Sequence, residues 1–319
     1  MSPYASQSIS QTEVQANSDW RFPLLKRLEQ CGTPHKGWAY AQAGSVSPEP
    51  TALCALALTS AGRAAPLVAS ALHTLASLQH ETGAVPATPD APHAGWPTAF
   101  ALLAWTRCDV AGEGSFETPA SKAVAHLLES RGRSAPVDPR LFDHDGTIPG
   151  WPWVDGAGAW IEPTAHAVLA LRTVGLSDHQ RVRDGVRMIL DRSLPGGGWN
   201  YGNRRVIDNV LSPFPAPTGI ALAALAGEPR DEHVTRAIAY LHTALQRVRT
   251  PLSLGWGIIG LRAWDAVPPR AEKWLRESAI DHLSRPPAPY LDALLVLAGA
   301  QHCLFAGPAR SQPTCTSTA

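Results

Sequence analysis

The chain is poor in charge, in pairable sulfur and in long apolar runs. Charged residues make up 17% of its 319 positions, and Lys+Arg 27 against Asp+Glu 27 leaves a formal net charge of zero. That leaves no electrostatic case for nucleic acid or an anionic membrane surface as partner. The longest apolar runs, residues 219–227 and 291–300, reach about ten residues, half of what a membrane-spanning helix needs. Five cysteines (Cys31, Cys54, Cys108, Cys303 and Cys315) are scattered, odd in number and without a C-x-x-C pair. Their pattern gives no disulfide framework or zinc ribbon and predicts a reducing, cytoplasmic compartment. Residues 1–18 are polar and lack a basic segment followed by an apolar one, so no signal peptide is expected. Residues 1–18 and 307–319 are expected to be disordered tails around one domain at 19–306.

What is present is hydrophobic residues at 45%, rich in Ala and Leu, enough to exclude a disordered chain. The organising feature is a repeated tetrapeptide that leads an apolar run. Glu49-Pro50-Thr51-Ala52, Trp96-Pro97-Thr98-Ala99, Glu162-Pro163-Thr164-Ala165 and Ala216-Pro217-Thr218-Gly219 place their prolines 47, 66 and 54 residues apart. Proline suits the first turn of a helix, and the residues that follow are apolar on nearly every side, so buried helices are predicted. Gly62, Gly175 and Gly227 stand where three of them should stop. Residues 252–264 and 289–299 read as two further members without the Pro-Thr signature.

Between them lie six amphipathic segments, at 22–30, 66–79, 118–129, 177–191, 232–247 and 272–283. Apolar helices need covering, and strict alternation supplies one cover per helix. The predicted fold is all-α, an α6/α6 toroid with six inner helices inside six outer ones; an open solenoid of helix pairs is the competitor. The connections into the apolar helices are rich in Gly and Trp: Gly37-Trp38, Gly95-Trp96, Gly150-Trp151-Pro152-Trp153 and Gly196-Gly-Gly-Trp199-Asn-Tyr201. The second repeat adds Gln79-x-x-x-Gly83 at a helix end.

The Gln-x-x-x-Gly turn, the Gly- and Trp-bearing loops and the Thr-Ala-led helices together resemble the prenyltransferase and squalene oxidase repeat, across residues 22–300. That repeat builds the α/α barrels of squalene–hopene cyclases, class II terpene cyclases and protein prenyltransferase β subunits. The resemblance implies a toroid with an isoprenoid or other apolar small molecule in a Trp-lined cavity, and a possible partner subunit. Cyclases of this group carry Asp-x-Asp-Asp-Thr-Ala, whose middle aspartate protonates an alkene. Aligned on Thr-Ala, that acid falls on Glu162, and in the first repeat on Glu49, while its flanking aspartates become Trp160 or Ser47 and Pro163 or Pro50. The zinc-binding Asp-x-Cys pair of the prenyltransferases is absent; Asp292, His302 and Cys303 do not reproduce its spacing. Neither a metal nor a cofactor is expected.

Glu162 is thus the candidate acid, with Asp155, Asp145 and His166 as the other candidate catalytic groups and Trp151, Trp153, Trp160, Trp199 and Tyr201 as candidate ligand-binding aromatics. A carboxyl group walled by aromatics keeps its proton, and indole faces stabilise a carbocation. Against this, a helix N-terminus favours the ionised carboxylate, as a protonated His166 one turn on would, and the other reading of Glu162 is a helix-initiating residue like Glu49. Asp143-His144-Asp145-Gly146 has the types for acid–base work but also those of a turn. Gly196–Gly198 lacks the Lys-Ser/Thr of a phosphate loop, although Arg204 and Arg205 follow it. Three functions stand open: a terpene-cyclase-like or prenyltransferase-like protein, which if catalytic would be a proton-initiated isomerase or cyclase; a non-catalytic repeat protein that binds a partner at the mouth of the ring; and a carbohydrate-active toroid with Asp145 and Glu162 as its carboxyl pair.

Overall fold

A computed structural model describes residues 19–33, 37–42, 44–88, 91, 93–109, 116–301 and 305. The tails expected at 1–18 and 307–319 lie outside the described residues, as do His302 and Cys303. Among the described residues, twelve α-helices alternate between two layers. The inner ones are α2 (Pro48–Ser60), α4 (Thr98–Arg107), α6 (Ile161–Thr173), α8 (Pro215–Ala224), α10 (Pro251–Arg262) and α12 (Pro289–Ala298). The outer ones are α1 (Phe22–Cys31), α3 (Ala65–Leu78), α5 (Glu117–Glu129), α7 (Gln180–Asp191), α9 (Glu232–Ala244) and α11 (Ala271–Leu283). Two-residue strands β1 (Arg205–Val206) and β2 (Asn209–Val210) form one antiparallel hairpin before α8.

Burial separates the layers as the composition predicts. Eleven residues of α2 and eleven of α6 are buried, against only Ala123 and Leu127 in the outer helix α5. A helix apolar all round is stable only inside other helices, and one with a single apolar stripe belongs on the outside. Each inner helix packs on the next, and α12 returns to α2, so the arrangement is a closed α6/α6 toroid. Outer helices cover the inner helix that precedes them in the chain; α12, the last helix among the described residues, is covered by α1 instead. Gly62, Gly175 and Gly227 all adopt positive φ just beyond α2, α6 and α8, which is why glycine ends these helices.

The recurring Gly-Trp and Pro-Thr motifs turn out to be one device. The backbone N–H of Trp38, Trp151 and Trp199 donates to Oγ1 of Thr51, Thr164 and Thr218 at 3.0, 2.9 and 2.9 Å. In the second repeat Val85 does the same to Thr98 at 2.8 Å. Each of the three indole N–H groups then donates to a carbonyl near the end of the preceding outer helix: Leu28, Leu127 and Ile189. The glycine before each tryptophan is required because a Cβ on Gly37, Gly150 or Gly198 would lie 2.4 to 2.8 Å from the threonine hydroxyl. Outer helix, loop and inner helix are thereby clasped at a single point.

The centre of the ring is filled. Phe100 on α4 and Trp256 on α10 project from diametrically opposite helices and meet with ring centroids 6.4 Å apart. His166 from α6 lies against both, at 4.4 and 5.7 Å, and Phe305 packs on Trp256 at 5.5 Å. All four are buried. On the α8–α10 side the backbones themselves touch, since a Cβ on Gly219 would sit 2.1 Å from the Trp256 carbonyl and one on Gly260 2.4 Å from the Gly219 carbonyl. The expected Trp-lined hollow is therefore corrected at this level: the tryptophans of the loops are spent between the layers, and aromatic side chains close the bore.

Candidate active site at the mouth of the ring

The N-termini of the inner helices surround one mouth above this plug. Glu49, Glu162 and Tyr290 occupy the second position of α2, α6 and α12 respectively. Glu49 is only 6% exposed. Its carboxyl accepts from the Tyr40 hydroxyl and from the Tyr290 hydroxyl, and Tyr290 in turn accepts from the Trp256 indole. A hydrogen-bonded chain so runs from the plug to the mouth. Tyr40 and Tyr290 also touch ring to ring, with centroids 5.4 Å apart.

Burial pushes Glu49 up to about 8 against the lowering effect of the Tyr40 hydrogen bond, with a smaller rise from the charge of Glu162 and a smaller fall from the Tyr290 hydrogen bond. Burial alone raises the half-buried Glu162 to about 7. Desolvation has won over the helix dipole at both positions. His166, one turn below Glu162, is pushed down to about 3 by burial, and so carries no positive charge that would favour a carboxylate. Neither of its ring nitrogens has a hydrogen-bond partner. Tyr40 and Tyr290 are both held above their ordinary range by burial first and by the charge of Glu49 second.

The other sequence candidates scatter. Asp155 is exposed on a loop whose backbone N–H donates to the His93 carbonyl. Asp145 is an exposed turn former: its Oδ1 accepts from the backbone and hydroxyl of Thr147 at 2.8 and 2.6 Å, and those bonds hold it below the usual carboxylate range. The carboxyl that feels the charge of Glu162 is that of Glu49, and not that of Asp145. Trp151 and Trp199 do not line the mouth; they are clasp residues, and the Arg181 guanidinium lies 3.4 Å over the Trp151 ring. Trp153 packs edge-on against Trp96 in a small crevice between α4, α5 and α6. Trp160, the residue before α6, is 37% exposed, and Tyr201 is 49% exposed beside Phe214 at the start of α8. Tyr40, Tyr290 and Trp256 carry no signal in the sequence, whereas Glu49 shares with Glu162 the register of the acid in the repeat. Asp292, weighed as a metal ligand, is instead held by Arg27 and by His282 at 2.9 Å.

No protein-family model and no curated protein matches the chain. Among solved structures, it is similar to an inactive variant of the GH76A alpha-1,6-mannanase of Salegentibacter sp. HEL1_6, with two adjacent aspartates replaced and alpha-1,6-mannotetrose bound. That likeness has a TM-score of 0.61 at 11% identity, covering 91% of this chain and 100% of that one. A protein from Actinoplanes gives 0.53 at 19% identity over 83% and 80% of the two chains. The ent-copalyl diphosphate synthase from Streptomyces platensis gives 0.48 at 20% identity over 79% and 49%. At such identities the likeness is one of fold: the protein is an α/α toroid, the class that the repeat implied.

Proposed function

We propose that the protein is a toroid enzyme that hydrolyses a glycosidic bond of a neutral saccharide at the ring mouth, with Glu49 as general acid and Glu162 as general base. The observation that carries this reading is the pair itself: two carboxyl groups on ring-related helices, each placed to titrate near neutrality, with Glu49 above Glu162. Near pH 7.5 the favoured single-proton state leaves the proton on Glu49 and the charge on Glu162. Glu49 then gives its proton to the leaving oxygen as the carbon–oxygen bond breaks. Glu162 takes a proton from the water whose oxygen bonds to the anomeric carbon. The alcohol and the hydrolysed sugar depart, and exchange with solvent returns the proton to Glu49.

Two further features support the reading. The closed bore removes the apolar chamber that an isoprenoid cyclisation needs around its acid, since Phe100, His166, Trp256 and Phe305 occupy it. Exposed aromatics near the inner-helix N-termini, Tyr40, Trp160, Tyr201 and Phe214, offer flat faces of the kind on which sugar rings stack. The fold also houses a mannanase, which makes neutral oligosaccharides the first substrates to try. The test measures new reducing ends from alpha-1,6-mannotetraose and from a panel of neutral oligosaccharides. Turnover by the parent should fall about 10²- to 10⁴-fold in Glu49→Gln and in Glu162→Gln. Its rate should follow a narrow bell whose limbs lie near 7 and 8. Binding without product across the panel would leave a non-catalytic binder, and turnover untouched by both substitutions would remove the pair from the mechanism.

A further inference from the structure

A concavity lies between the loop that leads into α6 and the chain that follows α7. It is a groove of about 290 Å³ walled by Arg133, His144, Trp160, Arg192, Gly202 and Asn203 among others. Trp160 forms one wall and precedes Glu162 by two residues, so the groove adjoins the proposed catalytic pair. Its indole rests on the chain at Gly202, where a Cβ would come within 3.4 Å of the ring.

In and behind these walls, His144 Nδ1 and Asp143 Oδ1 are buried without a hydrogen-bond partner among the described residues, while Arg192 Nε and Arg204 Nε have only a carboxylate beside them. Arg192 is 6% exposed; one of its terminal nitrogens donates to the Gly202 carbonyl at 2.8 Å, while Nε finds only Asp191 at 3.4 Å. These atoms are shut off from solvent, so they belong to the packing of the walls and not to the face that a ligand would touch. Charge decides which ligand. Arg192 faces Asp191, and Arg204 faces Asp143 at 3.9 Å, so these four charges cancel in pairs. Burial first, and then the Arg192 charge, push His144 down to about 4, which leaves it neutral. Arg133 adds donors at the exposed rim. With the inner charges paired and His144 neutral, the groove offers the exposed indole face of Trp160 beside the Arg133 guanidinium at its rim, a pairing that suits a ring rich in hydroxyl groups.

We propose that this groove is a subsite for one pyranose unit of a neutral oligosaccharide, stacked on Trp160 and hydrogen-bonded by Arg133, His144 and Arg192. The proposal rests on the glycosidic reading of the mouth for its ligand, and its test does not require turnover. Indole and amide NMR signals of the Glu49→Gln/Glu162→Gln protein would be followed during titration with alpha-1,6-mannotetraose, maltotetraose and cellotetraose, and separately with sulfate. One of the sugars should shift the Trp160 indole resonance, assigned from its loss in Trp160→Phe. Affinity should fall about tenfold in Trp160→Ala and by a smaller factor in Arg133→Ala, both exposed positions where the amide spectrum reports an intact fold. Sulfate alone shifting the resonance, no sugar shifting it, or a shift unchanged in both alanine variants would overturn the subsite. Sugar binding here in a parent protein without turnover would instead sink the acid–base reading and leave the subsite standing.

Discussion

At the scale of single residues, the site and the stability of the chain pull against each other at Glu49. In the unfolded chain this carboxyl titrates near 4.5, and in the folded chain near 8. The folded protein therefore keeps a proton through that interval which the unfolded chain has released. Stability is full below the lower value and declines as pH rises through the upper one, by a total on the order of 5 kcal/mol. Glu49→Gln removes this linkage while retaining an acceptor for Tyr40. Urea midpoints at pH 5 and pH 9 should lie closer together in the variant than in the parent, with the variant the more stable at pH 9. An equal drop in both proteins would show that Glu49 ionises freely. His166 acts in the opposite direction: its ring, depressed from 6.5 to about 3, takes stability away as pH falls through that lower range. Glu162 was legible in the sequence because its register against Thr-Ala marked it out. Glu49 stood in the same register and was discounted for that repetition, yet a ring brings equivalent positions of different repeats to one mouth, so the repetition was itself the signal. Tyr290 had none, because its partner Glu49 is 241 residues away.

At the scale of elements, both halves of the clasp were readable and their connection was not. Periodicity identified the twelve helices and proline their starts, because those depend on neighbours in sequence. The bond from a threonine hydroxyl to a loop N–H spans 13 residues at Trp38, at Val85 and at Trp151 and 19 at Trp199, which no local pattern reports. The same blindness turned Trp151 and Trp199 into supposed cavity walls, although their indole N–H groups are committed to outer-helix carbonyls. The clasp predicts an unequal pair of substitutions. Thr164→Val keeps the shape but strips the Trp151 N–H of its acceptor in a buried place, at a cost of about 1–3 kcal/mol. Thr173→Val, on the same helix, removes a half-exposed hydroxyl bonded to the Ala170 carbonyl and should stay within about 0.5 kcal/mol. Urea denaturation with unchanged m-values measures both. Equal costs would mean that the clasp holds nothing that the helix packing does not already hold.

At the scale of the whole molecule, closure distinguishes this ring from a solenoid of the same helix pairs. An open stack has end repeats that fray and need caps, whereas here α1, the first described helix, covers α12, the last described one. The seam between them is marked by a buried ionic cluster: Asp292, fully buried on α12, accepts from Arg27 on α1 and lies 2.9 Å from His282 on α11. A buried carboxylate paired across the closing interface resists loss of one partner far more than a surface pair does. Asp292→Asn leaves the Arg27 charge without its counterpart and should cost about 3–5 kcal/mol. Glu29→Gln, which breaks the half-exposed pair with Arg63 between α1 and the end of α2, should cost about 0–1 kcal/mol. Because the ring has no free end, the parent should unfold in one transition by circular dichroism and by tryptophan fluorescence alike. In Asp292→Asn the two probes should still coincide at a lower urea midpoint. An early, separate loss of α1 in the parent would show that the seam is an ordinary chain end and that the toroid closes in geometry only.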